Sequence, residues 1–274
     1  MPSVSIIIRT EGQRGDAFRQ ALGTAVSQTW RPLDVVVVED GGDRLAATVA
    51  GFPRPHDVPR HHLPMPKRGR SAAGNAGMKA ANGDLACFLD DDDWLEPHHA
   101  ACLAEAHRLA SDAVATYSLA NEIAVDRRQR PVRRRVVGRI PLPRERLWLG
   151  NVLPIQAVLF RRDSFDRAGG LDEGLEALED WDLWLRLSAL GRFVGVDAVT
   201  SSFRVPAGRC ELKRRAEQHA AVLGHVVAKN GSLAAQVTLK EIMALEADFR
   251  GRLDDVVGAR WCLARLWRRL RTGR

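Results

Sequence analysis

The stretch SVSIII (Ser3 to Ile8), answered by DVVVVE (Asp34 to Glu39) and LACFL (Leu85 to Leu89), decides the fold. Apolar runs without polar alternation, rich in β-branched residues, mark strands buried on both faces. Between the first two, Phe18, Leu22, Ala25 and Val26 recur at helical spacing, and Asp16 offers a cap. A small-residue helix from about Ser71 to Ala81 precedes the third. Strand, helix, strand, helix, strand predicts an α/β protein with a doubly wound, mostly parallel sheet flanked by helices. Ligands of such sheets sit beyond the carboxyl ends of the strands. Those ends carry Arg9-Thr10-Glu11, Glu39-Asp40-Gly41-Gly42 and Asp90 to Asp93.

Further along, the Pro-rich GFPRPHDVPRHHLPMP (Gly51 to Pro66) reads as an irregular connection. A helix is expected from Pro97 to about Ala110, and VATYSLANEIAV (Val114 to Val125) reads as a strand or hairpin. NVLPIQAVLF (Asn151 to Phe160) resumes β character, DWDLWLRLSAL (Asp180 to Leu190) reads as an amphipathic helix, and the chain from about Glu211 is helical. The expected organisation is a domain over 1–210 and a helical C-terminal extension over 211–274.

The chain has 274 residues, 45% hydrophobic and 27% charged, which excludes wholesale disorder. No apolar run reaches the roughly 18 to 20 residues of a membrane span. Met1-Pro2-Ser3 leads straight into VSIII without a basic region, so no signal peptide is expected. A cytoplasmic protein follows, or one held on the cytosolic face of a membrane. Cys87, Cys102, Cys210 and Cys262 are far apart with no CxxC pair, which favours reduced structural thiols.

The net charge of +7 is concentrated in RRQRPVRRR (Arg127 to Arg135) and RWCLARLWRRLRTGR (Arg260 to Arg274). Basic clusters suit phosphates, whether of nucleic acid, anionic lipid or nucleotide, and a solvated basic face accounts equally well for the first cluster. A nucleic-acid partner is not expected: the chain has one Tyr, and its Trp residues follow helical or core patterns. In the tail, Trp261, Leu266, Trp267 and Leu270 oppose Arg260, Arg265, Arg268 and Arg271. That pattern fits peripheral membrane contact through 253–272, or a helix packed on its own domain under arginine stems.

Three segments carry chemistry. FLDDDDWL (Phe88 to Leu95) ends a buried strand in four carboxylates, whose repulsion a cation offsets. Hard oxygen ligands in small number suit Mn²⁺ or Mg²⁺ shared with substrate phosphates. Helix capping and solvated charge are the alternative. ALEDWDLWLRL (Ala177 to Leu187) sets Glu179 and Asp180 at a helix start beside indoles, which suits a general base or a simple N-cap. KRGRSAAGNAGMKAANGD (Lys67 to Asp84) offers Arg70 and backbone N–H groups to phosphate. It is neither a Walker loop nor a dinucleotide fingerprint.

VSIIIRT, VVVVEDGG, RSAAGNAGMKAANGDLACFLDDDDWLEP and LFRRDSFDRAGGLDEGLEALEDWDLWLRLSALG occur in order between Val4 and Gly191. Together they resemble the family 2 glycosyltransferases of the GT-A fold. The resemblance implies inverting transfer of a sugar from a nucleotide-diphosphate donor to an acceptor hydroxyl. It implies that Thr10 and Glu11 meet the nucleoside and Asp40 the base. Asp90 to Asp93 cover the family's DxD motif, with Asp92 and Asp90 on the metal and Asp91 at the ribose or in the second metal-shell position. Asp180 is then the base, with Glu179 beside it and Trp181 and Asn75 among the substrate contacts.

Two departures stand out. Arg9-Thr10-Glu11-Gly12 replaces the family's Pro-Thr-Tyr-Asn, removing an aromatic partner for the base. Gly74 replaces an arginine, and Arg70, one helical turn earlier, is its expected stand-in. A UDP-sugar donor is favoured, with a glycan or lipid-linked glycan acceptor, a place in polysaccharide biosynthesis and homo-oligomerisation as companions. The rival readings are a non-catalytic nucleotide-sugar or polyanion-binding relative and a metal-dependent nucleotidyltransferase.

Overall fold

Side chains of β1 (Val4–Thr10), β2 (Leu33–Asp40) and β4 (Leu85–Asp90) alternate between two apolar layers. Ile6, Ile8, Val35, Val37, Cys87 and Leu89 face Phe18, Leu22 and Ala25 of α1 (Gly15–Val26). Ile7, Val36, Val38 and Phe88 face Ala73 and Met78 of α3 (Arg70–Ala80). The period of two puts successive residues on opposite faces, and a helix covers each, so the strands carry no polar alternation. A computed structural model describes residues 1–53 and 58–234. The expected basic helix at 253–272 lies outside the described residues.

The remaining elements are α2 (Ala46–Gly51), β3 (Arg60–Met65), β5 (Trp94–Leu95), α4 (His99–Leu109), β6 (Ala115–Val125), β7 (Pro131–Val137), β8 (Val158–Arg161), α5 (Arg162–Arg167), α6 (Glu179–Leu190), β9 (Phe193–Pro206), α7 (Arg209–Lys229) and α8 (Gly231–Ala234). The sheet runs β3-β2-β1-β4-β8-β6-β9-β5, with β7 beside β6. Its first four strands are parallel. Antiparallel β8 joins β4 to β6, while β6 and β9 form a long parallel ladder. The chain leaves β1 for β2 and β3 on one side and returns to β4 on the other. That reversal opens a crevice at the carboxyl ends of β1 and β4.

Helix α3 lies tight against the sheet. A Cβ on Gly77 would land on Ile7 Cγ2 and stand 3.0 Å from Val38 Cγ2. Gly77→Ala gains up to about 1 kcal/mol of helix propensity but overpacks this contact by about 1–3 kcal/mol. Chemical denaturation should therefore show a net loss; a stabilised variant contradicts the packing.

Two local readings are corrected and a third is resolved. Asp16 does not cap α1: Arg14 holds the N-cap position and Asp16 sits within the first turn, with no side-chain cap bond. Helix α6 is buried around most of its circumference rather than on one face. Its fully buried Asp182 is neutralised by Arg186 at 2.5 Å and Lys229 at 3.0 Å and receives Asn230 Nδ2 at 2.8 Å. The expected strand or hairpin at 114–125 is both: strand β6 (Ala115–Val125) turns back through β7 as a hairpin. The C-terminal half of α7 packs Val222, Leu223 and Val226 onto the core, while most of its first half is exposed. Among the described residues no helix is long and apolar enough to cross a membrane, and Cys87, Cys102 and Cys210 are free thiols.

Candidate active site

The crevice is organised by Arg9, the penultimate residue of β1, which pairs in register with Asp90 of β4. Its side chain is 3% exposed. Nε and Nη2 donate to Asp90 Oδ1 at 2.9 and 2.6 Å, and Nη1 donates to Glu179 Oε1 at 3.2 Å. The guanidinium also lies 5.4 Å from the centre of the Phe88 ring. One buried cation therefore ties the end of β4 to the start of α6. Burial would raise Asp90, yet Arg9 and then Arg70 hold it below the ordinary carboxylate range. Glu179 stays raised, because its burial outweighs Arg9.

The other aspartates diverge as an extended turn requires. Asp91 accepts from Thr10 Oγ1 at 2.6 Å and from Arg14 Nη1 at 2.8 Å. Asp92 lies 2.9 Å from the same Arg14 nitrogen, its side chain 31% exposed. Asp93 turns inward, where its carboxylate accepts from the Arg204 backbone N–H at 3.3 Å. Burial pushes Asp92 up, and the Asp90 and Asp91 charges add to it against the pull of Arg14. The result is a partly open cluster of hard oxygen atoms whose charge Arg14 offsets only in part, a donor set chemically compatible with a divalent cation.

Glu39, Asp43 and His62 form another candidate, with three ligand atoms within 4.8 Å of one another. Glu39 already accepts from the Arg44 and Leu45 backbone N–H groups at 2.9 Å each and meets His62 Nε2 at 3.1 Å. Burial would raise it, but those donors hold it below its usual range. Its charge is satisfied by the loop it shapes.

Beyond β2, Asp40 accepts from the Arg68 and Gly69 backbone N–H groups at 2.6 and 2.8 Å. It clamps the entrance of α3 and is 4% exposed. Alongside lies a shallow, wide-open surface depression lined by Gly41, Gly42, Asp43, Pro64, Met65, Pro66 and Lys67. Glu11 is ion-paired to Lys67 next to it, both half exposed.

Asp180 occupies the first turn of α6. Leu178 precedes this helix in the left-handed region, at φ 61° and ψ 20°. That conformation is costly for a residue with a side chain and often marks a functional turn. Asp180 Oδ2 accepts from Asn151 Nδ2 at 2.8 Å, and Oδ1 from the Trp181 backbone N–H at 2.8 Å. Burial raises the carboxyl, against the pull of Asn151, Trp181 N–H, Arg9 and Arg70. A carboxylate fixed in orientation and raised in proton affinity is suited to take a proton. Asn151→Ala removes a donor that favours the charged form. The acid limb of the pH–rate profile should then move to higher pH; movement to lower pH would contradict this role.

The structure brings Thr10, Asp90, Asp91, Asp92, Glu179, Asp180 and Arg70 to one crevice, with Arg70 Nη1 3.7 Å from Glu179. It redirects others. Trp181 is 2% exposed and its Nε1 donates to Leu147 O at 2.6 Å, so it is core rather than a substrate contact. Asn75 spends its amide on Leu171 and Glu173, tying α3 to the loop before α6. Arg14, Asn151 and Arg204 enter the site without having been singled out, and Arg9, noted at the strand end, enters in a role not assigned to it. Arg9 alone had a legible signal, as an arginine ending an apolar strand.

Solved structures of like architecture support the GT-A assignment. The mannosyltransferase PcManGT from Pyrobaculum calidifontis, in complex with GDP-Man and Mn²⁺, superposes with a TM-score of 0.61 at 16% identity, over 98% of this chain and 87% of that one. TarS (1–349) from S. aureus, in complex with UDP-GlcNAc, gives 0.62 at 14% identity, over 88% and 69%. Among sequences, the uncharacterized glycosyltransferase YwdF of Bacillus subtilis is 27% identical over 184 residues, 67% of each chain. YibD of Escherichia coli, also uncharacterized, is 29% identical over 83 residues, 30% of this chain and 24% of its own. Residues 3–169 match the model of glycosyl transferase family 2, and the chain belongs to that family.

Proposed function

We propose that this chain is an inverting glycosyltransferase with Asp180 as the base, acting on a nucleotide-diphosphate sugar. One observation carries the reading. Asp180, oriented by Asn151, directly follows Glu179, which buried Arg9 ties to the aspartate that ends β4. The helix that carries the base and the strand that carries the donor aspartates are thus joined by one fixed cation. Asp180 takes the proton of the acceptor hydroxyl as its oxygen attacks the anomeric carbon from the face opposite the diphosphate. Arg70, with its side chain 55% exposed, attracts the leaving diphosphate. Asp92, with Asp90, is the seat for Mn²⁺ or Mg²⁺, which when bound offsets the charge growing on the diphosphate.

The open depression beside Glu11 and Lys67 takes the nucleoside. Asp40 serves there by holding the α3 entrance rather than by reaching the base. The complexes of PcManGT with GDP-Man and of TarS with UDP-GlcNAc support a nucleotide-sugar donor, and a UDP-sugar is favoured. The acceptor is a glycan or lipid-linked glycan presented at the cytosolic face.

Incubation with UDP-glucose, UDP-GlcNAc and GDP-mannose, each with Mn²⁺, Mg²⁺ or EDTA, tests the proposal through release of nucleoside diphosphate. Metal-dependent release from one donor, with the sugar first appearing as the inverted anomer, is expected. Retained configuration, or no turnover of any nucleotide sugar, would overturn it.

A further inference from the structure

Asp92, read above as the metal ligand, already carries a cation. A single nitrogen, Arg14 Nη1, stands 2.8 Å from Asp91 Oδ1 and 2.9 Å from Asp92 Oδ2. It occupies an oxygen of the carboxylate that would hold the ion, so Arg14 and a divalent ion would compete for Asp92. We propose that Arg14 is a resident countercation which a divalent ion must displace to bind. This rests on the reading of Asp92 as a metal ligand.

The surroundings suit a side chain that leaves while its backbone stays. The loop between β1 and α1 is tethered at three points. Gly12 N–H donates to Thr10 Oγ1 at 2.9 Å, Glu11 O accepts from Arg44 Nη2 at 2.7 Å, and Arg14 O accepts the Phe18 N–H at 2.7 Å. Asp91 is also fixed, because Thr10 holds its other oxygen at 2.6 Å. The Arg14 side chain, by contrast, is 55% exposed and can swing into water without opening the core. Arg9 offers a contrast: buried and bonded to both Asp90 and Glu179, it stays in place.

Two opposite effects follow. Without metal, Arg14 neutralises the cluster and lets a diphosphate approach carboxylates that would otherwise repel it. With metal, Arg14 is a competitor. Removing it should tighten binding of the ion alone and weaken binding of the nucleotide alone. A purely structural arginine moves neither in this crossed fashion, and one that joins the metal in holding phosphate moves both downward.

The test titrates Mn²⁺ alone, followed by the electron paramagnetic resonance of the free ion, into the full chain, R14M, R14K and D92N. R14M should bind Mn²⁺ about tenfold or more tightly than the parent, the scale of losing a charged hydrogen bond. R14K, which keeps the charge, should stay within about threefold of the parent on the same scale. Calorimetry with UDP and GDP in EDTA should show R14M binding the favoured nucleotide more weakly. Unchanged or weaker Mn²⁺ affinity in R14M overturns the proposal, provided D92N abolishes binding and so leaves the metal site standing. Binding that survives D92N places the ion elsewhere and overturns both. If R14M unfolds, R14Q gives the same readout.

Discussion

Asp180→Asn is expected to lower transfer by about 10²- to 10⁴-fold, the usual contribution of a general base, with donor affinity within about threefold of the parent. The amide keeps the shape and can still accept from Asn151 or the Trp181 N–H, so the first turn of α6 should survive. It cannot take a proton. Because Asp180 follows Glu179 on α6 rather than lying within the aspartate cluster, the nucleotide should not sense the change. The fall should therefore appear in kcat with little movement in KM for the donor. Near-normal turnover, or loss of nucleotide binding in step with activity, would remove Asp180 from the role of base.

The second large effect concerns stability. Arg9→Met removes the cation bonded to Asp90 and Glu179, and Glu179 has its side chain 3% exposed. Breaking a buried pair on one side costs about 3–5 kcal/mol, because the partner charges are left without compensation. The stranded carboxyls should respond by taking up protons. Their pKa values in the folded variant would lie above the unfolded values, so their stability is present at low pH and lost as pH rises. The deficit relative to the parent should thus be largest near pH 7 and shrink towards about pH 4, the unfolded carboxyl range. Urea denaturation at both pH values measures this. A deficit that grows on acidification would mean that Arg9 is held by something other than these carboxylates.

Much of the fold was legible because its first ninety residues obey simple periodicities. β1, β2 and β4 are unbroken apolar runs, and each face meets a helix whose small residues admit close approach. The second half was harder. β6 to β9 pair in both directions, and pairing between distant segments leaves little local trace in sequence. Helix α6 looked amphipathic because Asp182 and Arg186 are polar, yet they are buried among Lys229 and Asn230, far along the chain. Long-range neutralisation cannot be read from a window of residues.

The candidate site divides the same way. Asp90 to Asp93 and Glu179-Asp180 announced themselves as carboxylates placed where an apolar pattern ends. Residues that orient or neutralise them did not, since Arg14, Asn151 and Arg204 look like ordinary surface polar residues until the chain folds. Trp181 misled for the opposite reason. An indole beside a base suggests a substrate platform, whereas here its N–H is satisfied by Leu147 O inside the core.

Calorimetric titration of UDP and GDP into the parent chain and into D92N, with and without Mn²⁺, is the most direct measurement of the central claim. The account predicts that one nucleotide binds the parent with a Kd between about 1 μM and 1 mM, the usual span for enzyme substrates. Mn²⁺ should strengthen that binding, and D92N should erase the metal effect while leaving the fold intact. Absence of binding for both nucleotides, or a metal effect indifferent to D92N, would contradict a donor site at the ends of β1, β2 and β4.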